Sequence, residues 1–192
     1  MCNKEKIREI LANYDNSKAI SRLNVAAVIS DELKKYNNEL VVVGGSAVEF
    51  YSAASYMTRD IDFIPRSLIG IKDTMLELGF KNDGNAIWYH PDAEIIVEFP
   101  KGPLDGSYEK VCVVETPYGD VSIIGIEDII ADRACAVQYW RDSSEWTKYL
   151  LMTHFNSIDF DYLTKRAFET GCEKVLKEII QEVEKELIQS KQ

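Results

Sequence analysis

A short β-branched run that ends in two glycines is the feature that most restricts the fold of this chain. Residues 39–43 read ELVVV and are followed directly by Gly44 and Gly45, after which residues 46–55 have the apolar spacing of a short helix. The glycines let the backbone approach a ligand closely, and a helix start directs free amide hydrogens and a positive dipole end at the same place. The segment therefore predicts a strand, a tight turn and a helix, with a place for a phosphate at the turn.

The Gly-Gly turn alone does not show that a ligand binds there, because strand-to-helix turns also use glycine for purely steric reasons. No Gly-Lys-Ser or Gly-Lys-Thr follows it, so a Walker A loop is absent, and the GxGxxG pattern is absent as well.

Two carboxylates follow in the next predicted strand, residues 60–64, which read DIDFI and stop before Pro65. Asp60 and Asp62 are two residues apart on a strand, so their side chains project from the same face. Two neighbouring anions repel each other, and a hard divalent cation with oxygen ligands, such as Mg²⁺, relieves that repulsion. The alternative is a solvated strand face on which Thr58 and Arg59 are local hydrogen-bond and salt-bridge partners.

A third carboxylate, Glu98, lies within an apolar run, EIIVEF at residues 94–99. If this strand lies beside residues 60–64, Glu98 completes a set of three acids around one or two ions, an arrangement that orients a triphosphate and activates a hydroxyl. The alternative is an edge-strand charge that faces water.

The remaining periodicity predicts an α+β protein. A core at residues 1–125 carries the strands, and a helical portion at 126–192 packs on it as part of one unit. We expect helices at 4–14, 17–37 with Ser17 as N-cap, 67–78, 126–140, 143–153, 159–170 and 173–190, and four antiparallel neighbouring strands at 87–90, 94–99, 111–115 and 121–124.

Composition narrows the classes of function. The chain of 192 residues has 22 Lys plus Arg against 32 Asp plus Glu, a formal charge of −10, which works against generic DNA or RNA binding because such binding depends on cations that displace phosphate counterions. No apolar run is long enough for a membrane span, and no secretory signal pattern is expected. The four cysteines lie far apart without a CxxC pair, so we expect free thiols and a cytoplasmic location.

The histidines and most aromatic residues carry no functional pattern. His90 and His154 lie outside any Ser/His/Asp, Cys/His or HExxH arrangement, so we expect structural roles. We assign the following aromatic residues to packing: Trp88, Tyr139, Trp140, Trp146 and Tyr149.

The order of these features resembles the nucleotidyltransferase-fold superfamily, whose pattern is hG[GS], a spacer, Dh[DE]h and a later h[DE]h. Gly-Gly-Ser stands at 44–46, Asp-Ile-Asp at 60–62 and the later acid at Glu98. The chain is most similar to small prokaryotic AbiEii-like proteins, which include toxin-type nucleotidyltransferases. FPKGPLDG at 99–106 and the segment 126–142 also resemble a subgroup of those proteins, and the similarity spans most of residues 38–153.

The resemblance implies a mixed sheet flanked by helices and a site for Mg²⁺ and a nucleoside triphosphate. It implies that Asp60 and Asp62 hold one or two Mg²⁺ ions with Glu98 as the third carboxylate. It also implies that Gly44, Gly45 and Ser46 bind the β- and γ-phosphates. Arg133 falls where such proteins often place a basic residue for phosphate contact, although a surface pair with Asp132 explains it equally well.

Two functional hypotheses follow. The first is a magnesium-dependent nucleotidyltransferase that moves a nucleoside monophosphate from a nucleoside triphosphate to a hydroxyl of an unidentified acceptor, which is a protein, an RNA or a small molecule. The second is a nucleotidyltransferase-fold binding or regulatory module without turnover, part of a toxin–antitoxin or defence pair, that binds a protein partner through its C-terminal helices.

Overall fold

We describe the chain from a computed structural model, of which residues 1–15, 19–84 and 86–190 are described. These residues form eight α-helices: α1 Asn3–Ala12, α2 Ala19–Leu33, α3 Gly44–Tyr51, α4 Ile71–Glu77, α5 Ile126–Trp140, α6 Glu145–His154, α7 Phe160–Thr170 and α8 Glu173–Gln189. They also form seven strands: β1 Leu40–Val43, β2 Asp60–Pro65, β3 Lys81–Asn82, β4 Ile87–Tyr89, β5 Ile96–Glu98, β6 Cys112–Thr116 and β7 Gly119–Ile123. Single 3₁₀ turns at Lys34–Tyr36 and Tyr108–Lys110 complete the regular structure.

The seven described strands form one mixed sheet in the order β3-β4-β5-β2-β1-β7-β6. The central pair β1 and β2 is antiparallel, whereas β7 joins β1 and β5 joins β2 in parallel. The other neighbouring pairs are antiparallel. The α+β class and the mixed sheet flanked by helices are therefore confirmed.

The prediction that four consecutive strands are antiparallel neighbours is wrong in its central step. β4 pairs with β5 and β6 pairs with β7, but β1 and β2 lie between the two pairs. The segment between β5 and β6 crosses over, because β5 forms its second ladder with β2 rather than with β6. This crossover brings β5 beside the strand that carries the two aspartates.

Helix α4 begins four residues later than the periodicity predicts. The side-chain amide of Asn38 donates to the carbonyl oxygen of Ser67 at 2.6 Å, and its oxygen accepts the backbone N–H of Ser67 at 3.1 Å. These bonds hold residue 67 in a turn, and Gly70, with φ of +81°, then precedes the first helical residue. Side-chain hydrogen bonds of Asn to a neighbouring backbone are a common alternative to helix formation.

Helix α3 ends at Tyr51, four residues earlier than predicted, because Ala53 and Ala54 take left-handed conformations with φ of 48° and 64°. Ser17, the predicted N-cap of the second helix, lies outside the described residues, and that helix begins at Ala19.

The core lies between α2 and the centre of the sheet. Five consecutive residues of α2, Val25 to Ile29, are almost fully buried, as are Leu40, Val41 and Val42 of β1. These three successive residues of β1 point alternately to opposite faces of the sheet and are all buried. Burial on both faces requires apolar residues at every position, which accounts for the β-branched run before the glycines. Phe63 of β2 stacks on Phe99, with ring centroids 5.8 Å apart.

The C-terminal helices contact the sheet and the N-terminal helices through polar as well as apolar groups. The ring nitrogen Nε2 of His154 lies 2.8 Å from the carbonyl oxygen of Tyr51, and the Tyr51 hydroxyl donates to the carbonyl oxygen of Ile124 at 2.8 Å. Lys110 Nζ forms an ion pair with Asp159 at 2.8 Å. The division of the chain at residue 125 stays a prediction.

The histidines have the structural surroundings that we expected. His154 holds Tyr51, and His90 is buried with its ring edge-on to Phe80. All four cysteines are free thiols, as predicted. Among the described residues, no helix has both the length and the apolar character needed to cross a membrane.

The assignment of all five aromatic residues to packing is wrong for two of them. Trp140 is 82% exposed and Tyr139 is 55% exposed, because both lie at the solvent end of α5. Trp88 is buried, and Trp146 packs edge-on against Tyr56 and at a tilt against Tyr149.

Candidate active site

The turn between β1 and α3 requires glycine for two reasons. Gly44 has φ of +57°, a left-handed conformation that side chains with a Cβ rarely adopt. A Cβ at this position would also overlap the carboxylate oxygen Oδ2 of Asp62. The glycine therefore allows the aspartate of β2 to lie directly against the backbone of the turn.

Strand pairing brings the three predicted carboxylates to one face of the sheet. β2 and β5 run parallel with Asp60 opposite Ile96, Ile61 opposite Val97 and Asp62 opposite Glu98. Ile61 and Val97 are buried on the other face, as the two-residue alternation predicts. The condition placed on Glu98, that its strand lie next to residues 60–64, is thus confirmed.

The electrostatics of the site centre on Asp62. The pKa of its carboxyl is raised from 3.8 to about 6, chiefly by burial and also by the negative charges of Asp60 and Glu98. The Gly45 backbone N–H and the positive charge of Arg133 act in the opposite direction and lower the pKa. Three carboxylates therefore repel one another at a partly buried site, and the Gly45 amide and the Arg133 guanidinium offset part of that repulsion.

The donor chemistry of this face fits a hard cation, because oxygen ligands that repel one another are stabilised by a divalent ion between them. Within residues 1–15, 19–84 and 86–190, however, no group of three or more His, Cys, Asp or Glu side chains is gathered as metal ligands. One oxygen of Asp60 instead accepts a hydrogen bond from the Thr58 hydroxyl. This bond is the local partnership that the alternative interpretation predicts, so binding of an ion requires the carboxylates to turn toward one another.

A cleft of about 360 Å³ opens beside Asp62, a volume within the range of small-molecule sites. Gly44, Asp62 and Arg133 are in its lining. Three further charged residues also line it: Lys101 and Asp105, which the sequence did not single out, and Asp132, which it offered only as a surface partner of Arg133. Lys101 and Asp105 belong to the segment FPKGPLDG. The resemblance of that segment to a family subgroup is the sequence signal that could have pointed to them.

Arg133 forms the surface pair of one interpretation, and its phosphate contact stays a prediction. Its Nε donates to Asp132 Oδ2 at 2.9 Å, so the expected surface pair is present. The same side chain lines the cleft and lowers the pKa of Asp62. A guanidinium shared between a carboxylate and an open cleft is available to an anionic ligand at low cost.

Ser46 lies differently from the phosphate contact that the resemblance implies. It is buried, and its hydroxyl donates to the carbonyl oxygen of Asp60 at 2.6 Å. It borders a separate small cavity of about 10 Å³ with Arg22 and Glu49 rather than the cleft. This hydroxyl connects α3 to the start of β2, and its phosphate role stays a prediction.

A buried network holds the loop that forms one wall of the cleft. Asp128 of α5 is fully buried and accepts hydrogen bonds from the Ser107 backbone at 3.1 Å, the Tyr162 hydroxyl at 2.9 Å and Arg166 Nε at 2.9 Å. Arg166 also contacts Asp105 at 2.6 Å. The C-terminal helices α5 and α7 therefore determine where the loop after Glu98 lies.

Comparison with known proteins supports the fold. No protein-family model and no curated protein sequence matches the chain. The chain is similar in structure to an antigenic nucleotidyltransferase-like protein from Paracoccidioides brasiliensis, with a TM-score of 0.50 at 15% identity over 79% of this chain and 91% of that one. It is also similar to the antibiotic-resistance factor ANT(2'')-Ia, with a TM-score of 0.50 at 13% identity over 80% of this chain and 93% of that one. The chain therefore has the fold of nucleotidyltransferase-like proteins.

Proposed function

We propose that this protein is a magnesium-dependent nucleotidyltransferase that transfers a nucleoside monophosphate from a nucleoside triphosphate to a hydroxyl group. The observation that carries the proposal is the parallel register of Asp62 with Glu98, beside a glycine turn that only a residue without a Cβ can form. The nucleotidyltransferase-like fold is consistent with it.

The site residues suit this reaction by charge and position. Asp60, Asp62 and Glu98 would hold one or two Mg²⁺ ions, which when bound would neutralise phosphate charge and orient the triphosphate. The N–H of Gly45, which faces Asp62, would donate to a phosphate oxygen, and Arg133 would add a positive charge from the other side of the cleft. Ser46 would contribute its hydroxyl oxygen at the start of α3.

In the reaction, the acceptor hydroxyl oxygen attacks the α-phosphorus, and the bond from that phosphorus to the bridging oxygen of the β-phosphate breaks. Pyrophosphate leaves with the electron pair of that bond. Glu98 would take the proton of the hydroxyl or contribute to a second ion site. Because little covalent chemistry falls to the protein, catalysis would come from positioning and charge stabilisation.

The mutual repulsion of the carboxylates favours an enzyme over an inactive binding module. A fold kept only as a scaffold has no physical need for an aspartate whose pKa is raised to about 6 by burial and two neighbouring acids. Such perturbed groups cluster at functional sites. We further propose, on the resemblance of the residue pattern alone, that the protein is related to the AbiEii-like nucleotidyltransferases. The four free thiols suit the cytoplasmic location that we propose for it.

The first test is calorimetric titration with each of the four nucleoside triphosphates, with and without Mg²⁺. We expect metal-dependent binding in the wild type, and we expect Asp62→Asn and Glu98→Gln to lose it. The matched control is Glu115→Gln, which removes an exposed acid from edge strand β6. Binding that is indifferent to Mg²⁺ and to both site variants would overturn the proposal.

A second test identifies the acceptor. The wild type, Asp60→Asn and Glu115→Gln are incubated with an α-labelled nucleoside triphosphate and a cell extract, and label is followed into protein, RNA and small-molecule fractions. Transfer by the wild type and the control, but not by Asp60→Asn, is the expected result.

A further inference from the structure

A buried ion pair joins helix α2 to helix α3, the helix that begins at the glycine turn. Its members, Arg22 and Glu49, are 3% and 2% exposed. The Nε of Arg22 donates to Oε2 of Glu49 at 2.7 Å, and a terminal guanidinium nitrogen donates to Oε1, so the contact is bidentate. Two parallel hydrogen bonds of this kind determine the relative orientation of the two side chains as well as their distance.

The ion pair lies one helical turn from the residues of the glycine turn. Glu49 follows Gly45 by four positions and Ser46 by three, so both lie on its side of α3. Ser46 borders the same small cavity as Arg22 and Glu49. One turn of helix is only about 5.4 Å long. A displacement of Glu49 therefore moves the start of α3 with it.

Stability alone does not account for two charged residues at this place. Positions 22, 25, 26 and 29 of α2 are all buried and have the spacing of one helix face, so an apolar residue at position 22 would simply extend the core. Replacement of a buried ion pair by apolar residues of similar volume is often neutral or stabilising, because the removal of both charges from water is costly. An apolar contact, however, does not specify a direction between the two helices.

Helix α2 is a fixed reference for this contact, because Val25 to Ile29 are buried in the core. Helix α3 is eight residues long, and its other polar contacts reach the sheet and α6. The Ser46 hydroxyl donates to the carbonyl oxygen of Asp60, and His154 contacts the carbonyl oxygen of Tyr51. The ion pair adds a directional bond from the middle of α3 to the N-terminal helices.

We propose that Arg22 and Glu49 are positioning residues, whose bidentate ion pair holds the start of α3 in the orientation that nucleotide binding requires. At that start the Gly45 N–H forms a hydrogen bond to the Asp62 carboxylate. Without the ion pair, α3 can rotate against α2, and the amide loses its alignment with the site. Groups that orient a site must themselves be held by their surroundings. The part that concerns the nucleotide rests on the proposed function, whereas the position of the turn can be measured without it.

The test replaces the ion pair by apolar residues of similar volume in the double variant Arg22→Met/Glu49→Leu. We expect a melting temperature no lower than that of the wild type, because neither charge of the pair is left buried alone. We expect the dissociation constant of a non-reactive triphosphate analogue with Mg²⁺ to rise roughly tenfold or more, since residues that orient a site from behind have effects of this size. Arg22→Lys keeps the charge but loses the bidentate geometry, and it should lie between the wild type and the double variant.

Ile29→Val is the matched control, because it removes a methylene from a fully buried residue of the same helix and leaves the ion pair intact. It should lower the melting temperature by about 2–4 °C and leave the dissociation constant unchanged. A role in stability alone predicts the opposite pattern, in which the double variant unfolds at a lower temperature and binds the analogue like the wild type.

The amide resonance of Gly45 measures the position of the turn without any nucleotide. In protein labelled with ¹⁵N, we expect this resonance to move in the double variant toward the value of a solvent-exposed amide, and to stay in place in Ile29→Val. If the wild type binds no triphosphate, the proposed function fails, and the Gly45 resonance still decides whether the ion pair positions the turn.

Two outcomes would overturn the inference. They are a Gly45 resonance that is the same in the double variant and the wild type, and a double variant that binds the analogue as tightly as a wild type that does bind it. If the double variant does not fold, Arg22→Lys replaces it in both measurements, and an unchanged resonance and dissociation constant in that variant overturn the inference equally.

Discussion

Asp62 on β2 and Glu98 on β5 are register partners in a parallel strand pair, although 36 positions separate them along the chain. Parallel partners project their side chains from the same face of the sheet, so this single pairing determines that the two carboxylates share one environment. Gly44 then brings the backbone of the turn against Asp62 from the side. The charge of the site is thus a consequence of strand order rather than of local sequence.

The raised pKa of Asp62 predicts that the free energy of unfolding falls as the pH rises and this carboxyl loses its proton. The folded chain binds this proton more tightly than the unfolded chain, so its stabilising contribution is fully present below pH 3.8 and is lost as the pH rises through about 6. Asp62→Asn removes the buried carboxylate, and we expect it to stabilise the metal-free protein at pH 7.5 by about 1–2 kcal/mol. The difference from the wild type should shrink toward acid pH.

Urea unfolding in EDTA at several pH values measures this difference, with Glu115→Gln as the control for general charge effects. A free-energy difference between Asp62→Asn and the wild type that does not vary between pH 4 and pH 7.5 would contradict the assignment.

Gly44→Ala should lower the free energy of unfolding more than Gly84→Ala does, although both glycines have positive φ. Gly44 and Gly84 both have positive φ, +57° and +98°, but a Cβ at Gly84 meets nothing within 4 Å, whereas one at Gly44 meets the Asp62 carboxylate. Gly84→Ala therefore measures backbone strain alone, about 1–2 kcal/mol, and Gly44→Ala should cost roughly 1–2 kcal/mol more.

The extra cost has a specific cause that a double-mutant cycle can isolate. Asp62→Ala should recover part of the loss in Gly44→Ala, because it removes the group that the new Cβ meets. Thermal unfolding of the four proteins in the cycle gives the coupling energy, and strict additivity would mean that the two residues do not contact each other.

Asp128→Asn should weaken both the fold and the site. The carboxylate of Asp128 accepts three hydrogen bonds, from Ser107, Tyr162 and Arg166. An amide offers only one acceptor oxygen and removes the one buried carboxylate among the partners of Arg166, which keeps its ion pairs with Asp105 and Glu169. We therefore expect a loss of about 1–3 kcal/mol. Because Ser107 ends the loop that carries Lys101 and Asp105, hydrogen exchange in residues 99–107 should accelerate.

Asp161→Asn, an exposed change on α7, is the matched control for Asp128→Asn. If the Asp128 variant kept wild-type stability and loop protection, the network would have no role in positioning the cleft wall.

The sequence predicted the parts of the site that depend on local alternation. Asp60 and Asp62 share a face because a strand repeats every two residues. The turn is predicted because Gly44 and Gly45 directly follow a β-branched run. Glu98 could be proposed only conditionally, since no local rule states that β5 pairs with β2. The short spacing along the chain suggested that β5 and β6 are antiparallel neighbours. The chain instead crosses over between them, so that β5 pairs with β2.

The parts that the sequence did not predict depend on contacts between distant segments. Asp128 and Arg166 meet across 38 positions to hold the loop of Lys101 and Asp105, and no periodicity signals such a contact. The hydroxyl of Ser46 bonds to a strand rather than facing the cleft, because the start of α3 is turned by Gly44. Trp140 is exposed although aromatic residues at helical spacing usually pack, since α5 ends there in a left-handed Arg141.

Arg133 and Asp132 should affect nucleotide binding in opposite directions. The guanidinium of Arg133 is divided between Asp132 and the cleft. Arg133→Gln removes a cation from the site and should raise the dissociation constant of a non-reactive triphosphate analogue with Mg²⁺ about tenfold. Asp132→Asn releases the guanidinium and removes a competing anion from the cleft, so it should lower that constant severalfold.

Opposite signs distinguish a phosphate contact from a surface pair. If the two residues formed only a surface ion pair, each substitution would remove the same weak interaction, change stability slightly and leave analogue binding alone. Arg141→Gln, which removes an exposed arginine at the end of the same helix, controls for the loss of one positive charge. Calorimetric titration of the three variants and the wild type decides the matter, and equal dissociation constants in all four would remove Arg133 from the proposed site.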